Sequence, residues 1–257
     1  EGSAFSSENT FHSVYFHKIG TLQSEDVLVY IDEKEPNRYH FAWATEDNNY
    51  LVLNVSTGTD GNSLLIKDLR TEGSDWRILV DGFTDHSGVV GSVEGKILLL
   101  TDIEAPKYRL VVVDPTQELT NTDLWTDIIP QSNHLLESVQ VSAGRLFATF
   151  LRKACHAVVS YDFMGLDAKE IALPSNVGSV GGFGGKMNSK EVFYAFTSFT
   201  HPTSIYKYDP VSHESLLFSA PEVNFKPEAY ETKQVEYCSK DGTKIPMFIV
   251  HRKGIIL

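Results

Sequence analysis

A serine nucleophile of the α/β-hydrolase kind needs a Gly-x-Ser-x-Gly elbow, which sets the hydroxyl on a strained strand-to-helix turn beside oxyanion donors. The nearest approach here is Gly61-Asn62-Ser63-Leu64-Leu65, which lacks the second glycine and precedes no helical pattern. The nine histidines form no helical His-x-x-x-His pair and sit in no Cys-x-x-Cys context, so no metal site is expected. His12 and His17 flank one short strand pattern and read as structural or solvent-facing. The glycine-rich run at 181–186 falls short of a phosphate loop. Its Gly-Lys pair comes one position early, Met187 stands where Ser or Thr is needed, and no helix follows. It reads as a strand and its turn. Cys155 and Cys238 are far apart and read as free thiols of a reducing compartment, cytoplasmic, with a periplasmic location left open. No catalytic residue and no cofactor are therefore expected within the chain.

Four acids do recur at a fixed interval. Asp68, Asp114, Asp162 and Asp209 lie 46, 48 and 47 residues apart, each at the end of a β-branched run. Acids placed once per repeat are too far apart to share a metal ion. A turn suits them, where an Asp side chain accepts backbone N–H groups.

The elements around these acids repeat with them. The strand before each acid is "SLLIKDL" (63–69), "YRLVVVD" (108–114), "HAVVSYD" (156–162) or "TSIYKYD" (203–209). Preceding strands are "YLVLNV" (50–55), "KILLLTD" (96–102), "RLFATFL" (145–151) and "EVFYAFTS" (191–198). Before those come "HFAWAT" (40–45), "GVVGSV" (88–93), "LLESVQV" (135–141) and "GSVGGFG" (178–184), read as inner strands rich in small residues. A fourth, more polar strand closes each unit: "WRILV", "LWTDII", "KEIAL" and "SLLFS". Four strands at a period in the mid-forties are the signature of β-propeller blades, which stack because one sheet cannot hide both faces. The fold class is therefore all-β. Blades are expected near 40–81, 86–130, 134–174 and 177–220, after a half blade near 12–31 that looks like third and fourth strands. Tyr108–Val113 and Ile205–Tyr208 are expected as interior strands with alternate side chains buried. A last hairpin, Val235–Cys238 and Ile245–Val250 around the Asp241-Gly242 turn, has no evident packing partner in the chain.

Composition narrows the partners. The formal net charge is -12 and no run of four basic residues occurs, which argues against nucleic acid and anionic membranes. No apolar stretch approaches the ~20 residues of a membrane span. The polar start, "EGSAFSSENT", has no signal-peptide core.

Three stretches carry a more specific likeness. "GTLQSEDVLVY" (20–30), "FTSFTHPTSIYKYD" (196–209) and "SKDGTKIPMFIVHRKGI" (239–255) resemble the prolyl oligopeptidase family of serine peptidases, which cleave short peptides after proline. In that family a seven-bladed propeller is inserted into an α/β-hydrolase. The resemblance implies that residues 1–227 are a partial propeller of about four and a half blades. It implies that 228–257 begin the catalytic domain, truncated, with the Ser, Asp and His of catalysis further on. Both ends look cut from something larger, and the chain alone is expected to be inactive. The implied partners are the α/β-hydrolase catalytic domain of the same polypeptide and short Pro-containing peptides, filtered by a narrow tunnel. By position, Tyr39 and Thr59 match substrate-pocket residues, where the family commonly has Met and Cys. Ser56 stands where many relatives have Arg, so a charged substrate contact is not carried over. Residues Asn9–Asp26 resemble a loop region that gates access. A non-catalytic protein-binding propeller is the alternative, and it would be expected to carry a complete set of blades.

Overall fold

A computed structural model describes residues 8–255. The polar start at residues 1–7 and residues 256–257 lie outside the described residues. β-branched and aromatic side chains fill the strands, as suits half-buried pleated surfaces. Four four-stranded meanders hold most of the chain. They are β3 (Tyr39–Ala44), β4 (Tyr50–Ser56), β5 (Ser63–Asp68) and β6 (Arg77–Val80); β7 (Ser87–Val93), β8 (Lys96–Thr101), β9 (Arg109–Val113) and β10 (Thr126–Ile129); β11 (Leu135–Ser142), β12 (Arg145–Arg152), β13 (Cys155–Tyr161) and β14 (Lys169–Glu170); and β15 (Ser179–Gly184), β16 (Val192–Ser198), β17 (His201–Tyr208) and β18 (Ser215–Ser219). In each sheet spatial order follows chain order. Before them β1 (Val14–Phe16) pairs antiparallel with β2 (Val27–Tyr30), and after them β19 (Tyr230–Cys238) pairs antiparallel with β20 (Lys244–Arg252).

The chain forms two compact units, residues 1–106 with 110–127, and residues 107–109 with 128–257. In the first, Tyr50, Val52, Leu64 and Ile66 join Val89, Ile97, Leu99 and Val111 in one buried cluster, which Trp125 closes. In the second, Phe183 is stacked between Phe147 (centroids 5.0 Å) and Tyr194 (4.7 Å), and Val192, Phe196, Tyr206 and Tyr208 complete the core. Aromatic side chains bury more apolar surface each than the aliphatic ones beside them.

The recurring acids turn the chain after each third strand. Asp68 accepts the Arg70 N–H at 2.9 Å, and Asp114 the Thr116 N–H at 2.9 Å. Asp162 accepts the Met164 and Leu166 N–H groups at 2.9 and 2.7 Å, and Asp209 the Val211 N–H at 2.8 Å. The Arg70 side chain holds the Asp68 carboxyl below the usual range, the Thr116 hydroxyl does so for Asp114, and the Val211 N–H does so for Asp209. Among the described residues no group of three or more His, Cys, Asp or Glu could hold a metal ion. Cys155 is buried, Cys238 is exposed, and both are free.

Three expectations change. Tyr108 is not in a strand: its φ is +62°, and β9 begins at Arg109. Leu110 and Val111, adjacent and so on opposite faces, are both buried, which means that both faces of this third strand are covered. The fourth strands are not simply polar. Leu79, Val80, Ile128 and Ile129 are buried, whereas Leu216, Leu217 and Phe218 of β18 are 67%, 58% and 66% exposed. The last hairpin does have a seat. Gln234 donates to the Lys153 carbonyl, Lys153 pairs with Glu236 at 2.8 Å, and Phe248 packs 5.2 Å from Phe199.

The hairpin turn makes one pH prediction. The Ser239 hydroxyl and the Thr243 N–H hold the Asp241 carboxyl down to about 2. A depressed carboxylate contributes stability above its unfolded value, and that contribution is lost as pH falls through the folded one. Asp241 is therefore expected to titrate near 2 by carboxyl-carbon NMR, with the turn intact at pH about 4. A titration at an ordinary carboxylate value would show the turn hydrogen bonds are absent in solution.

Candidate functional site

Tyr39 opens β3 and Ser56 closes β4, and the two stand opposite each other across the strand pair. Thr59 follows three residues later in the exposed β4–β5 loop. One end of a single sheet thus carries both candidate pocket positions, Tyr39 and Thr59, together with Ser56. Tyr39 is 41% exposed, and Phe41, two residues on and on the same face of β3, is 56% exposed. The His12 ring leans over both, at 5.9 Å from Tyr39 and 5.5 Å from Phe41. The neighbouring Arg38 is already engaged. It pairs with Asp32 at 3.2 Å and Glu35 at 3.4 Å, and its guanidinium lies 5.1 Å over the Phe83 ring. This end of the sheet offers aromatic surface and hydroxyls, a combination suited to an apolar side chain with a polar backbone beside it.

The loop bearing Thr59 is anchored at its far end. Gly61 has φ +61°, and a Cβ there would run into the Phe83 carbonyl. Its N–H donates to His86 Nε2 at 3.2 Å. Asn62 donates to Asn54 Oδ1 (2.6 Å) and the Ser87 carbonyl (2.9 Å), and accepts the Ser87 N–H at 3.0 Å. His86 Nδ1 faces Asp102 Oδ2 at 3.2 Å. A carboxylate–imidazole pair near a serine invites comparison with a catalytic triad, but the proton geometry differs. His86 Nε2 accepts from the Gly61 backbone, and Ser63 is buried and donates its hydroxyl to the Val80 carbonyl at 2.7 Å. Neither group is available to the other as base and nucleophile, and the pair serves to hold the loop.

A separate cleft, with a volume of about 590 Å³, includes Arg152, Lys153, Cys155, His156 and Gln234 in its wall. Its bases are spent on neighbours. Arg152 pairs with Glu170 at 2.9 Å, Lys153 with Glu236 at 2.8 Å and His156 with Glu137 at 2.9 Å. It is the seat of the β19–β20 hairpin, and Gln234 approaches Cys155 Sγ at 3.8 Å.

Residues 1–221 match the family described as "Prolyl oligopeptidase, N-terminal beta-propeller domain". The chain belongs to this propeller family. It is similar to the prolyl endopeptidase of Elizabethkingia meningoseptica, at 38% identity over 255 residues, 99% of this chain and 36% of that protein. It is also similar to the dual function macrocyclase-peptidase POPB of Galerina marginata, at 29% identity over 93% of this chain and 34% of that protein. Among solved structures, a prolyl endopeptidase superposes with a TM-score of 0.84 at 31% identity, covering 95% of this chain and 35% of that one. Prolyl oligopeptidase B from Galerina marginata, bound to a 35mer hydrolysis and macrocyclization substrate, gives 0.83 at 26% identity, covering 95% of this chain and 35% of that one. The chain spans about a third of the length of the curated relatives it matches. The four four-stranded sheets are thus blades of a partial β-propeller, as the repeat period predicts.

Within the propeller the residues that fix the candidate positions Tyr39 and Thr59 are tertiary neighbours. His12, read as structural or solvent-facing, proves structural: its Nδ1 accepts the His40 backbone N–H across 28 positions. Asn62 and the His86–Asp102 pair carried no sequence signal, because the bonds that anchor the loop, Asn62 to Ser87 and Gly61 to His86, join residues 25 positions apart. Gly61 had one: a glycine after Asp60 at the entry to a strand marks a turn with positive φ. Among the described residues no helix of the propeller is long and apolar enough to cross a membrane.

Proposed function

We propose that this chain is the propeller portion of a serine endopeptidase that cleaves short peptides after proline. The observation that carries this reading is the match of residues 1–221 to the prolyl oligopeptidase propeller. On this reading residues 1–227 form the propeller part, and 228–257 begin an α/β-hydrolase catalytic domain of the same polypeptide. The nucleophile, its base and the oxyanion donors belong to that domain. The propeller contributes geometry: it limits which peptides reach the cleft, favouring short unfolded ones, with Asn9–Asp26 as the segment that admits them. Tyr39 and Thr59 contribute wall to the pocket for a substrate side chain near the proline. Tyr39 supplies apolar area and a hydroxyl, and Ser56 adds no charge. We place the protein in the cytoplasm, which suits two free thiols.

The test uses the full polypeptide and a chromogenic Gly-Pro peptide extended by one apolar residue. Tyr39→Ala is expected to raise KM by roughly tenfold with kcat within about twofold, the pattern of lost binding that is equal in ground and transition states. An unchanged KM would remove Tyr39 from the pocket. A wild-type protein without turnover would remove the endopeptidase reading itself.

A further inference from the structure

His12 and His40 hold each other reciprocally. The His40 backbone N–H donates to His12 Nδ1 at 2.9 Å, and His40 Nδ1 donates to the His12 carbonyl at 2.6 Å. The two rings stack, with centroids 6.3 Å apart and planes 11° apart. Each bond fixes a proton. His12 Nδ1 accepts, so it is bare, while His40 Nδ1 donates to a carbonyl, so it carries hydrogen. His40 is 2% exposed, and its Nε2 is buried without a hydrogen-bond partner. A second proton on His40 would bury a charge and an unmatched N–H, which is costly. A proton on His12 Nδ1 would set two donors against each other and abolish the bond to the His40 backbone.

The segment held by this pair is strained. Phe11 has φ +58°, a left-handed conformation that a bulky residue keeps only when its surroundings impose it. Its N–H donates to the Pro36 carbonyl at 2.7 Å, and Ser13 Oγ donates to its carbonyl at 2.8 Å. Other titratable groups face the pair from two strands. Tyr39 on β3 lies against His12, and Tyr30 on β2 packs 5.1 Å from His40. Burial pushes the Tyr30 phenol up, so it stays neutral; Asp32 and Arg38, which also act on it, are paired with each other at 3.2 Å. On the same segment His17 Nδ1 lies 2.6 Å from Asp26, a contact that protonation strengthens.

We propose that His12 is a proton-operated latch. With its ring neutral it ties Phe11–Ser13 to β3 and sets the Tyr39 and Phe41 rings beneath it. Protonated at Nδ1, it releases the His40 amide, and the strained Phe11 turn loses a tether. His12 is thus a positioning residue acting through Tyr39. Its consequence for peptide binding rests on the Tyr39 reading above, whereas the latch itself does not.

Hydrogen exchange of the His40 and Phe11 amides, corrected for intrinsic rates, tests the latch at about pH 7.5 and about pH 5.5, on either side of the imidazole range. The wild-type protein is expected to lose roughly tenfold protection at the lower pH, the weight of one ordinary hydrogen bond. His12→Asn, whose amide oxygen replaces Nδ1 as a non-titrating acceptor, is expected to keep the same protection at both. His12→Phe, a ring without an acceptor, is expected to be weakly protected at both. Equal wild-type protection at both values overturns the latch, and so does a His12→Asn profile that follows the wild type, which would place the titration at His17 instead. In the full polypeptide, KM should rise at the lower pH for the wild type and not for His12→Asn. A flat wild-type KM beside an intact amide profile would sink the Tyr39 reading and leave the latch standing.

Discussion

Replacing Phe183 with alanine is expected to lower unfolding stability by about 3–5 kcal/mol, at the upper end for a buried aromatic. Phe183 is 2% exposed and sandwiched between Phe147 and Tyr194, with the Tyr208 ring edge-on at 6.3 Å. Truncation removes both stacking partners' contacts and leaves a cavity walled by rigid rings from β12, β16 and β17, which relax poorly. The stacked pairs add about 0.5–1.5 kcal/mol each beyond area burial. At this chain length each kcal/mol shifts Tm by roughly 2–4 °C, so the melting point should fall by roughly 10 °C. Leu216→Ala on β18 is the control. Leu216 is 67% exposed, and its loss should change stability by less than about 0.5 kcal/mol. Denaturant unfolding of both variants measures the contrast, and equal effects would mean that the aromatic stack is not the core of its unit.

Gly61→Ala is expected to cost about 2–5 kcal/mol, a large effect for one methyl group on a loop. Two causes add. Left-handed backbone costs a residue with a Cβ about 1–2 kcal/mol, and Gly61 sits at φ +61°. Overpacking costs about 1–3 kcal/mol more, because the new methyl would meet the Phe83 carbonyl, which is backbone and cannot rotate aside. The displaced loop would also lose the Gly61 N–H bond to His86 and disturb the Asn62 bonds to Ser87. Gly58 lies in the same loop, has nothing within 4 Å of a built Cβ, and serves as the comparison. Thermal unfolding with Gly61→Ala no worse than Gly58→Ala would contradict the anchoring described for the Thr59 loop.

The period of the fold was legible because its turn chemistry is local. Asp68, Asp114, Asp162 and Asp209 each bond backbone two residues on, and that requirement writes itself into the sequence at every third strand. Strand positions were legible for the same kind of reason, since β-branched runs between Gly, Asn and Asp leave few alternatives. Features that depend on tertiary neighbours were not. The polarity expected of fourth strands failed at Leu79, Val80, Ile128 and Ile129, whose burial comes from packing and not from their position in the unit. Tyr108 gives no local sign of its positive φ. The seat of the last hairpin joins Gln234 to Lys153 across 81 positions. At the candidate site Tyr39 and Thr59 came from family resemblance, and the facing of Tyr39 by Ser56 follows from strand register alone. The partners that set the site's shape, His12 with His40 and His86 with Asp102, bond across 28 and 16 positions and leave no mark in spacing.

On the function proposed above, this chain shapes access to a peptidase site without performing the chemistry. Its serine nearest an elbow motif, Ser63, is buried and gives its proton to the Val80 carbonyl, and the imidazole near it accepts from the Gly61 backbone. The direct measurement is hydrolysis of a chromogenic Gly-Pro peptide by the purified 257-residue chain, beside the full polypeptide, with and without a serine-directed phosphonate. Phosphonate-sensitive turnover is expected from the full polypeptide and none from the chain alone. Turnover by the isolated chain that resists the phosphonate would contradict this expectation, because a different active site would then lie within these residues.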